Sequence, residues 1–417
     1  MITKLLVKNF RSIQDSEVNL GRITVLTGPN NSGKSSIIYG LLAVKNVVLN
    51  PNQSFDSFLN LGFVNLGGFV QSVYLKKETL DITLGVETDG KGLSCRYTAS
   101  LGKKNSVLSL NVSRPYPVSF NLDVSFPYPG NKTSQTEIDG PFGKVRILWN
   151  GISPTVNVIA PPPSESGGVS TGADEDRPKE RQTPEESLEE LNKSINAAPD
   201  ELRAVDFVPL RRGFTKPSYS SVALQPQLLN EDELATMLAT NRDLEGKVAQ
   251  YLEQMVDRAF NVRPLIGTSN FNLQSRDRST GFLCELVNEG FGTNQLVTIL
   301  TKALREEMRT ICIEESEIHL HPELMDKLVD VFTQIVKDED KSFIISTHSE
   351  HIVLSLLNKV AKGRLRPEDI CMYYLSKKGK DTVIEKQEVN EKGQVKGGLK
   401  GFYEAELRQV REFFAVP

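Results

Sequence analysis

The chain has 417 residues, of which 39% are hydrophobic and 24% charged, an ordinary globular composition with length enough for a large core. Its formal net charge of -4 excludes a global basic field of the kind that draws proteins to nucleic acid, leaving only a local basic patch for that role. The cysteines, Cys95, Cys284, Cys312 and Cys371, show no CxxC spacing, so they read as free thiols in a reducing compartment rather than a zinc site or a disulfide framework.

The opening MITKLLVKNFRS is too polar for a signal peptide. No stretch approaches the roughly 18 apolar residues of a membrane helix, and the sequence predicts a cytoplasmic protein without a membrane partner. In chain order, residues 3–7 read as a strand, and Ile23-Thr24-Val25-Leu26-Thr27 as a buried strand that runs into GPNNSGKSS and then a helical run, IIYGLLAVKNVVL. Between 70 and 160, short alternating stretches at 79–87, 93–100 and 106–112 predict an antiparallel β-rich arm. Residues 161–186 are Pro/Ser/Gly-rich and then charged, which predicts a disordered or extruded loop. A short helix follows at 187–197, and the pattern over 230–260 predicts helices. Strand-like alternation returns at 262–287, and three pointed segments follow: GFGTNQLVTIL, TICIEESEIHLHPE and SFIISTHSEHIV. The tail predicts a hairpin (371–375 with 382–389) and an amphipathic helix near 402–414. Internal repeats and sustained heptads are absent from the sequence.

Gly28-Pro29-Asn30-Asn31-Ser32-Gly33-Lys34-Ser35 fits G-x-x-x-x-G-K-[ST] in its required strand–loop–helix context, with Ser36 next. Gly28 and Gly33 allow the backbone to curl its N–H groups onto phosphate oxygens, and the helix start adds a positive dipole end. Lys34 reaches the β- and γ-phosphates, and the Ser35 hydroxyl suits Mg²⁺. The strand Thr310-Ile311-Cys312-Ile313-Glu314 ends in a carboxylate at a sheet edge, placing Glu314 to hold the metal. Strand alternation would send Glu315 to the other side, where it can serve as general base. His348 lies just past the strand at 342–346 and is placed to sense a γ-phosphate. All four histidines (His319, His321, His348, His351) fall in this window, and the surrounding motifs explain the cluster better than a metal site does. The carboxylate run at 338–340 reads as a solvated loop.

Together these features resemble the ABC-type ATPase heads of the SMC, RecF and OLD (overcoming lysogenization defect) class, also described as AAA-type ATP-binding proteins. LLVKNFRSIQDSEVNLGRITVLTGPNNSGKSS carries the resemblance at one end. EESEIHLHPE and ISTHSEHIV carry it at the other and look most like the OLD branch without a fused nuclease. DFVPLRR at 206–212 and the Leu-Gly-rich stretch at 61–69 are also similar, whereas about 75–200 is not recognised.

The resemblance implies ATP and Mg²⁺ as cofactors and an α/β head with a mixed sheet, a β-rich N-terminal arm and a helical insertion. The expected parts are 1–160 (phosphate loop and arm), 161–200 (disordered linker or insertion), 201–289 (helical insertion and return strands) and 290–417 (signature, acidic strand, switch histidine). It implies that Arg11 lies near the phosphates; that Gly28, Asn30, Asn31, Ser32, Gly33, Lys34, Ser35 and Ser36 bind nucleotide; that Glu314 and Glu315 take the acidic-strand roles; that Glu317 begins the dimer-facing loop; and that His348 is the switch. Gly290–Gln295 occupies the signature position, where Gly292 and Asn294 would cap the γ-phosphate of an opposite subunit, with Asn294 standing where the class carries serine. Gln71 is the candidate for the glutamine loop. ATP-sandwiched heads imply a homodimer or larger even-numbered homo-oligomer. The readings that stay open are a driven or gated partner in anti-phage defence, a nucleotide-gated scaffold for a separate effector such as a nuclease or toxin, and a DNA-repair clamp using the basic residues near Lys362, Arg364, Arg366, Lys377, Lys378 and Lys380. No long heptad arm separates the motifs, and fewer than about 70 residues follow His348, too few for an appended nuclease domain.

Overall fold

Two kinds of strand organise the chain: alternating ones that bury one face, and wholly apolar ones buried on both. The computed structural model describes residues 1–160, 184–225 and 230–399, except 91, 104, 141, 142 and 152. The predicted loop at 161–186 lies almost wholly outside the described residues, and the predicted helix near 402–414 entirely so. The chain folds as two compact units, residues 1–18 with 39–203, and residues 19–38 with 204 onward.

The chain opens with β1 (Ile2–Phe10), β2 (Ile13–Asn19), β3 (Ile23–Thr27) and α1 (Lys34–Leu49). The first unit continues through α2 (Phe55–Phe58), α3 (Gly68–Ser72), β4 (Ile82–Gly90), β5 (Leu93–Leu101), β6 (Ser106–Arg114) and β7 (Val118–Val124). These strands form one sheet in the order β2-β1-β4-β5-β6-β7. Val118, Phe120, Leu122 and Val124 are buried and the residues between them exposed, the period-2 pattern of a strand with one solvated face. A second sheet contains β8 (Ser134–Gly140), β9 (Gly143–Trp149) and β10 (Pro154–Ala160), ordered β10-β9-β8.

Helix α4 (Pro184–Arg203) packs on β4, β5, β6 and β10. The sequence predicts a helix only over 187–197, but α4 runs on through Pro199. Proline removes one helical hydrogen bond; burial of Leu191, Ile195, Ala198 and Leu202 along a single stripe offsets that loss.

The second unit adds β11 (Val205–Val208), β12 (Tyr219–Ser220), α5 (Glu231–Thr240), α6 (Arg242–Val256), β13 (Arg258–Pro264), β14 (Asn270–Asp277) and β15 (Leu283–Glu285). Then come α7 (Phe291–Ala303), β16 (Thr310–Glu314), α8 (Pro322–Asp338), β17 (Ser342–Ser346), α9 (Glu350–Ala361), β18 (Ile370–Lys378) and β19 (Asp381–Gln387). Its main sheet is ordered β11-β16-β17-β3-β18-β19. All pairings are parallel except the last. Every residue of β3, β11, β16 and β17 is buried, as a parallel sheet covered on both faces requires. The core of this unit joins Leu296 and Leu300 of α7, Phe332 of α8 and Leu356 of α9 to Ile313 and Ile345 of the sheet. A smaller antiparallel sheet, β12-β14-β13 with β15 beside β14, carries α5 and α6. The α/β class, the β-rich arm and the helical insertion expected from sequence are all present. No helix among the described residues is long and apolar enough to cross a membrane.

Ionic groups inside the second unit hold α7 to the sheet. The buried Asp206 carboxylate of β11 accepts from Lys302 Nζ at 3.1 Å and Arg305 Nη1 at 2.8 Å. Lys341 Nζ donates to Arg305 O and, at 3.0 Å, to Met308 O. Burial pushes the Lys341 ammonium down to about 8. Between about pH 8 and pH 10.5 the unfolded chain holds a proton here that the folded chain releases, so this group's contribution to stability rises with pH. The urea midpoint of wild type should gain on that of Lys341→Met between about pH 7.5 and pH 9.5. A constant gap would mean that Lys341 stays charged in the fold.

Candidate nucleotide site

The loop between β3 and α1 turns through left-handed backbone at Gly28 (φ 133°), Asn31 (φ 62°) and Gly33 (φ 107°). Two of these turns have no room for a side chain. A Cβ on Gly28 would lie 2.0 Å from Leu375 O of β18, and one on Gly33 2.6 Å from Thr382 Oγ1 of β19. Thr382 Oγ1 donates to Ser32 O at 2.9 Å, and Thr27 Oγ1 to Tyr373 O at 3.0 Å. The C-terminal hairpin thus forms the bed of the loop. Asn30 and Asn31 are exposed, Ser32 and Ser36 buried, and the Ser32 hydroxyl has no hydrogen-bond partner among the described residues. Gly28→Ala combines backbone strain with a clash against main chain. It should cost about 3 kcal/mol or more and abolish nucleotide binding, as read by urea unfolding and a fluorescent ATP analogue.

Lys34, first residue of α1, donates from Nζ to Gly28 O (2.9 Å), Pro29 O (3.2 Å) and His348 Nε2 (2.8 Å). Burial lowers its pKa against the opposing pull of Glu315, Glu317 and Glu314. An ammonium can only donate, so His348 accepts through a neutral ring nitrogen. Burial and the adjacent Lys34 both lower the histidine's pKa and favour that form. His348 Nε2 also lies 3.3 Å from Glu315 Oε1. Burial first, then the neighbouring Glu317, pushes the Glu315 carboxyl up to about 8, with Lys34 opposing.

Sheet register explains why these groups meet. Glu314 is paired with Ser346, and Ser346 with Leu26. The ends of β16, β17 and β3 therefore open onto one crevice at the carboxyl edge of the sheet. One expectation needs correcting: Glu315 does not diverge from Glu314 by strand alternation. It lies just past the strand end in left-handed backbone (φ 46°), its N–H donating to Ser346 O at 2.9 Å. Glu317 turns its carboxylate onto the 347–349 turn. Its Oε1 accepts from Thr347 Oγ1, His348 N (2.9 Å) and Ser349 N (3.0 Å).

The signature segment divides in two. Gly290 caps α7 without a side-chain hydrogen bond, and Phe291 is 73% exposed, its ring 5.4 Å from that of His319. Gly292 sits close against the backbone, where a Cβ would be 3.1 Å from His319 O. Asn294 faces the interior. Its Oδ1 accepts from Phe214 N (2.6 Å), and its Nδ2 donates to Phe214 O (2.8 Å) and Leu286 O (3.2 Å). The amide that sequence reasoning offers to a phosphate is thus engaged by backbone, because the helical turn at 294 points into the core. Gln295 is buried beside it.

Arg11 and Gln71 belong to the first unit, where the Arg11 guanidinium lies 5.6 Å over the Tyr39 ring. Sequence reasoning missed Arg212 as a site residue. It donates to Glu314 O and Glu315 O, both at 2.7 Å. Its only sequence signal is the DFVPLRR stretch.

For a metal, Ser35 in the first turn of α1 and the buried Glu314 offer hard oxygen donors, which fits Mg²⁺ held largely by phosphate and water. Among the described residues no group of three or more His, Cys, Asp or Glu side chains gathers as a metal cage. His321 instead caps α8, and Asp340 of the 338–340 run pairs with Arg22.

No curated protein matches the chain. Among solved structures, it is similar to the SMC head domain from Thermotoga maritima (12% identity, TM-score 0.46, 93% of this chain and 99% of that one). It is also similar to an SMC head bound to the C-winged helix domain of ScpA (10%, 0.47, 94% and 98%). A third is an SMC head with an extended coiled coil bound to the C-terminal domain of ScpA, derived from Pyrococcus furiosus (9%, 0.45, 99% and 99%). The AAA ATPase domain family matches residues 1–107 and 169–353, more than half of the chain. With its phosphate loop and acidic strand joined at one sheet edge, the chain belongs to the AAA ATPase domain family.

Proposed function

We propose that the chain binds Mg-ATP and hydrolyses it when two copies close on the nucleotide. The observation that carries this reading is the convergence of Lys34, His348 and Glu315 within hydrogen-bond reach. Lys34 exchanges its loop carbonyls for the β- and γ-phosphates, and the backbone N–H groups of the loop and of α1 bind the remaining oxygens. Ser35 and Glu314 would hold Mg²⁺, which when bound would neutralise charge on the phosphates. Glu315 takes a proton from the attacking water, and His348 reads the γ-phosphate through the contact it now makes with Lys34. The uncapped start of α7, with Gly292 and the exposed Phe291, offers its N–H groups to the nucleotide of a second copy. This supports a homodimer or larger even-numbered oligomer; that its closure drives or gates a partner, with anti-phage defence as the setting, rests on the resemblance of EESEIHLHPE and ISTHSEHIV to the OLD branch.

A second reading is favoured by one observation: Asn294, at the signature position, is engaged by the backbone of Phe214 and Leu286, as suits a nucleotide-gated scaffold that hydrolyses slowly and holds a separate effector. The DNA-clamp reading has less support, because Arg364 is paired with Asp330 and Arg366 with Asp369. Steeply salt-dependent DNA binding would restore it.

The test is phosphate release from Mg-ATP with particle mass recorded beside it. Turnover together with ATP-dependent doubling of mass supports closure. Binding without turnover transfers the role to the scaffold and the search to its effector.

A further inference from the structure

The three residues Arg212-Gly213-Phe214 bridge two parts of the second unit that the sequence keeps far apart. At one end the Arg212 guanidinium forks onto consecutive carbonyls of the acidic turn. Nη1 donates to Glu314 O and Nη2 to Glu315 O, both at 2.7 Å, and Nη1 also reaches Pro209 O at 3.1 Å. At the other end the Asn294 carboxamide clasps both backbone groups of Phe214, at 2.6 and 2.8 Å, in the manner of a strand partner. Gly213 (φ 129°) turns the chain between them, and a Cβ there would lie 3.1 Å from Asn294 Oδ1.

Glu315 is a non-glycine residue in left-handed backbone, a conformation that persists only when its surroundings over-determine it. The fork on its own carbonyl and on the preceding one supplies that restraint. A planar guanidinium spans two carbonyls where an ammonium holds one. Asn294 at the same time fixes the strap to the first turn of α7, the turn that carries Gly292 and Phe291.

We infer that Arg212 is a positioning residue for Glu315, and that Asn294 holds Arg212 in place through Phe214, so that the start of α7 and the catalytic carboxylate are mechanically one piece. This rests on the reading of Glu315 as the base. It also accounts for asparagine at 294, since a serine there offers a single short hydroxyl against the three backbone contacts made by the carboxamide.

The experiment combines steady-state kinetics with amide exchange on the full chain. Displacing a catalytic group by about 1 Å costs about 100-fold. Arg212→Ala should lower kcat by about 100-fold and Arg212→Lys by about tenfold, with KM for Mg-ATP within about twofold of wild type. Asn294→Ala should lower kcat likewise, and the double variant should be no slower than Arg212→Ala alone. Multiplying effects, or a change in KM with kcat intact, would overturn the inference. Should Arg212→Ala or Asn294→Ala melt below assay temperature, Arg212→Lys and Asn294→Ser carry the same comparison. Amide exchange separates this inference from the hydrolysis reading, because it needs no turnover. In Asn294→Ala, exchange should accelerate at Glu315 and Ser316 and stay unchanged at Ser36 and Ile37. Unchanged protection at 315–316 would sink the strap even if the wild type hydrolyses ATP. Acceleration there in a chain that does not hydrolyse would support the strap and discard the base.

Discussion

Glu315→Gln should reduce phosphate release by about 1000-fold, a loss within the range for removal of a general base, while Mg-ATP stays bound. The substitution is close to isosteric and mimics the neutral form that burial and Glu317 already favour, so the site is not expected to collapse. Glutamine retains a donor toward Glu317, and it leaves Lys34 and the loop untouched. What it lacks is any ability to take a proton. The variant should therefore accumulate as an ATP-bound dimer or larger even-numbered species, with a nucleotide affinity within a few-fold of wild type. Phosphate release, light scattering and a bound-nucleotide assay read the three consequences. Turnover within about tenfold of wild type would assign the base elsewhere.

The largest expected loss of stability without contact to nucleotide lies at Asp206. Its carboxylate is 2% exposed and faces Lys302 at 3% and Arg305 at 6%. Removing the acid leaves the buried Lys302 without its anion and Arg305 with Glu307 alone, a change of about 3–5 kcal/mol. Asp206→Ala should unfold at much lower urea. Replacing the whole set, as Asp206→Leu with Lys302→Met and Arg305→Met, should restore most of the stability, because apolar groups of similar volume often equal or exceed a buried ionic cluster. If Asp206→Ala shifts the unfolding free energy by less than about 1 kcal/mol, the cluster is not what ties α7 to β11.

The phosphate loop and the acidic strand could be read from sequence because their chemistry demands particular residue types at fixed spacing inside a recognisable local context. Strand, loop and helix around Gly28–Ser35 are contiguous, and so are the apolar run and carboxylate at 310–314. Other parts of the site depend on what distant segments bring. Asn294 sits at the start of a helix, where a side chain can face out toward a ligand or in toward the core; only Phe214, 80 residues away, decides it. Arg212 binds backbone carbonyls, which have no residue identity and leave no pattern in the sequence. The separation of Glu314 from Glu315 followed from the wrong cause, since a left-handed turn does what alternation was expected to do. Helix α4 outran its prediction because packing on the sheet outweighs Pro199, a contest that local propensity cannot judge.

The flanking of β3 also matters for how the protein is made. Its neighbours in the sheet are β17 and β18, so roughly 315 residues separate Thr27 from the beginning of the first of them. At about 5–20 residues per second, the ribosome needs roughly 15–60 s to cross that gap. Within that interval the β-rich unit, whose sequence is complete once residue 203 is made, can settle before β3 gains its neighbours. Nucleotide capture then reports that synthesis has reached the C-terminal hairpin. A product that terminates early lacks the bed that Leu375 and Thr382 make under Gly28 and Gly33.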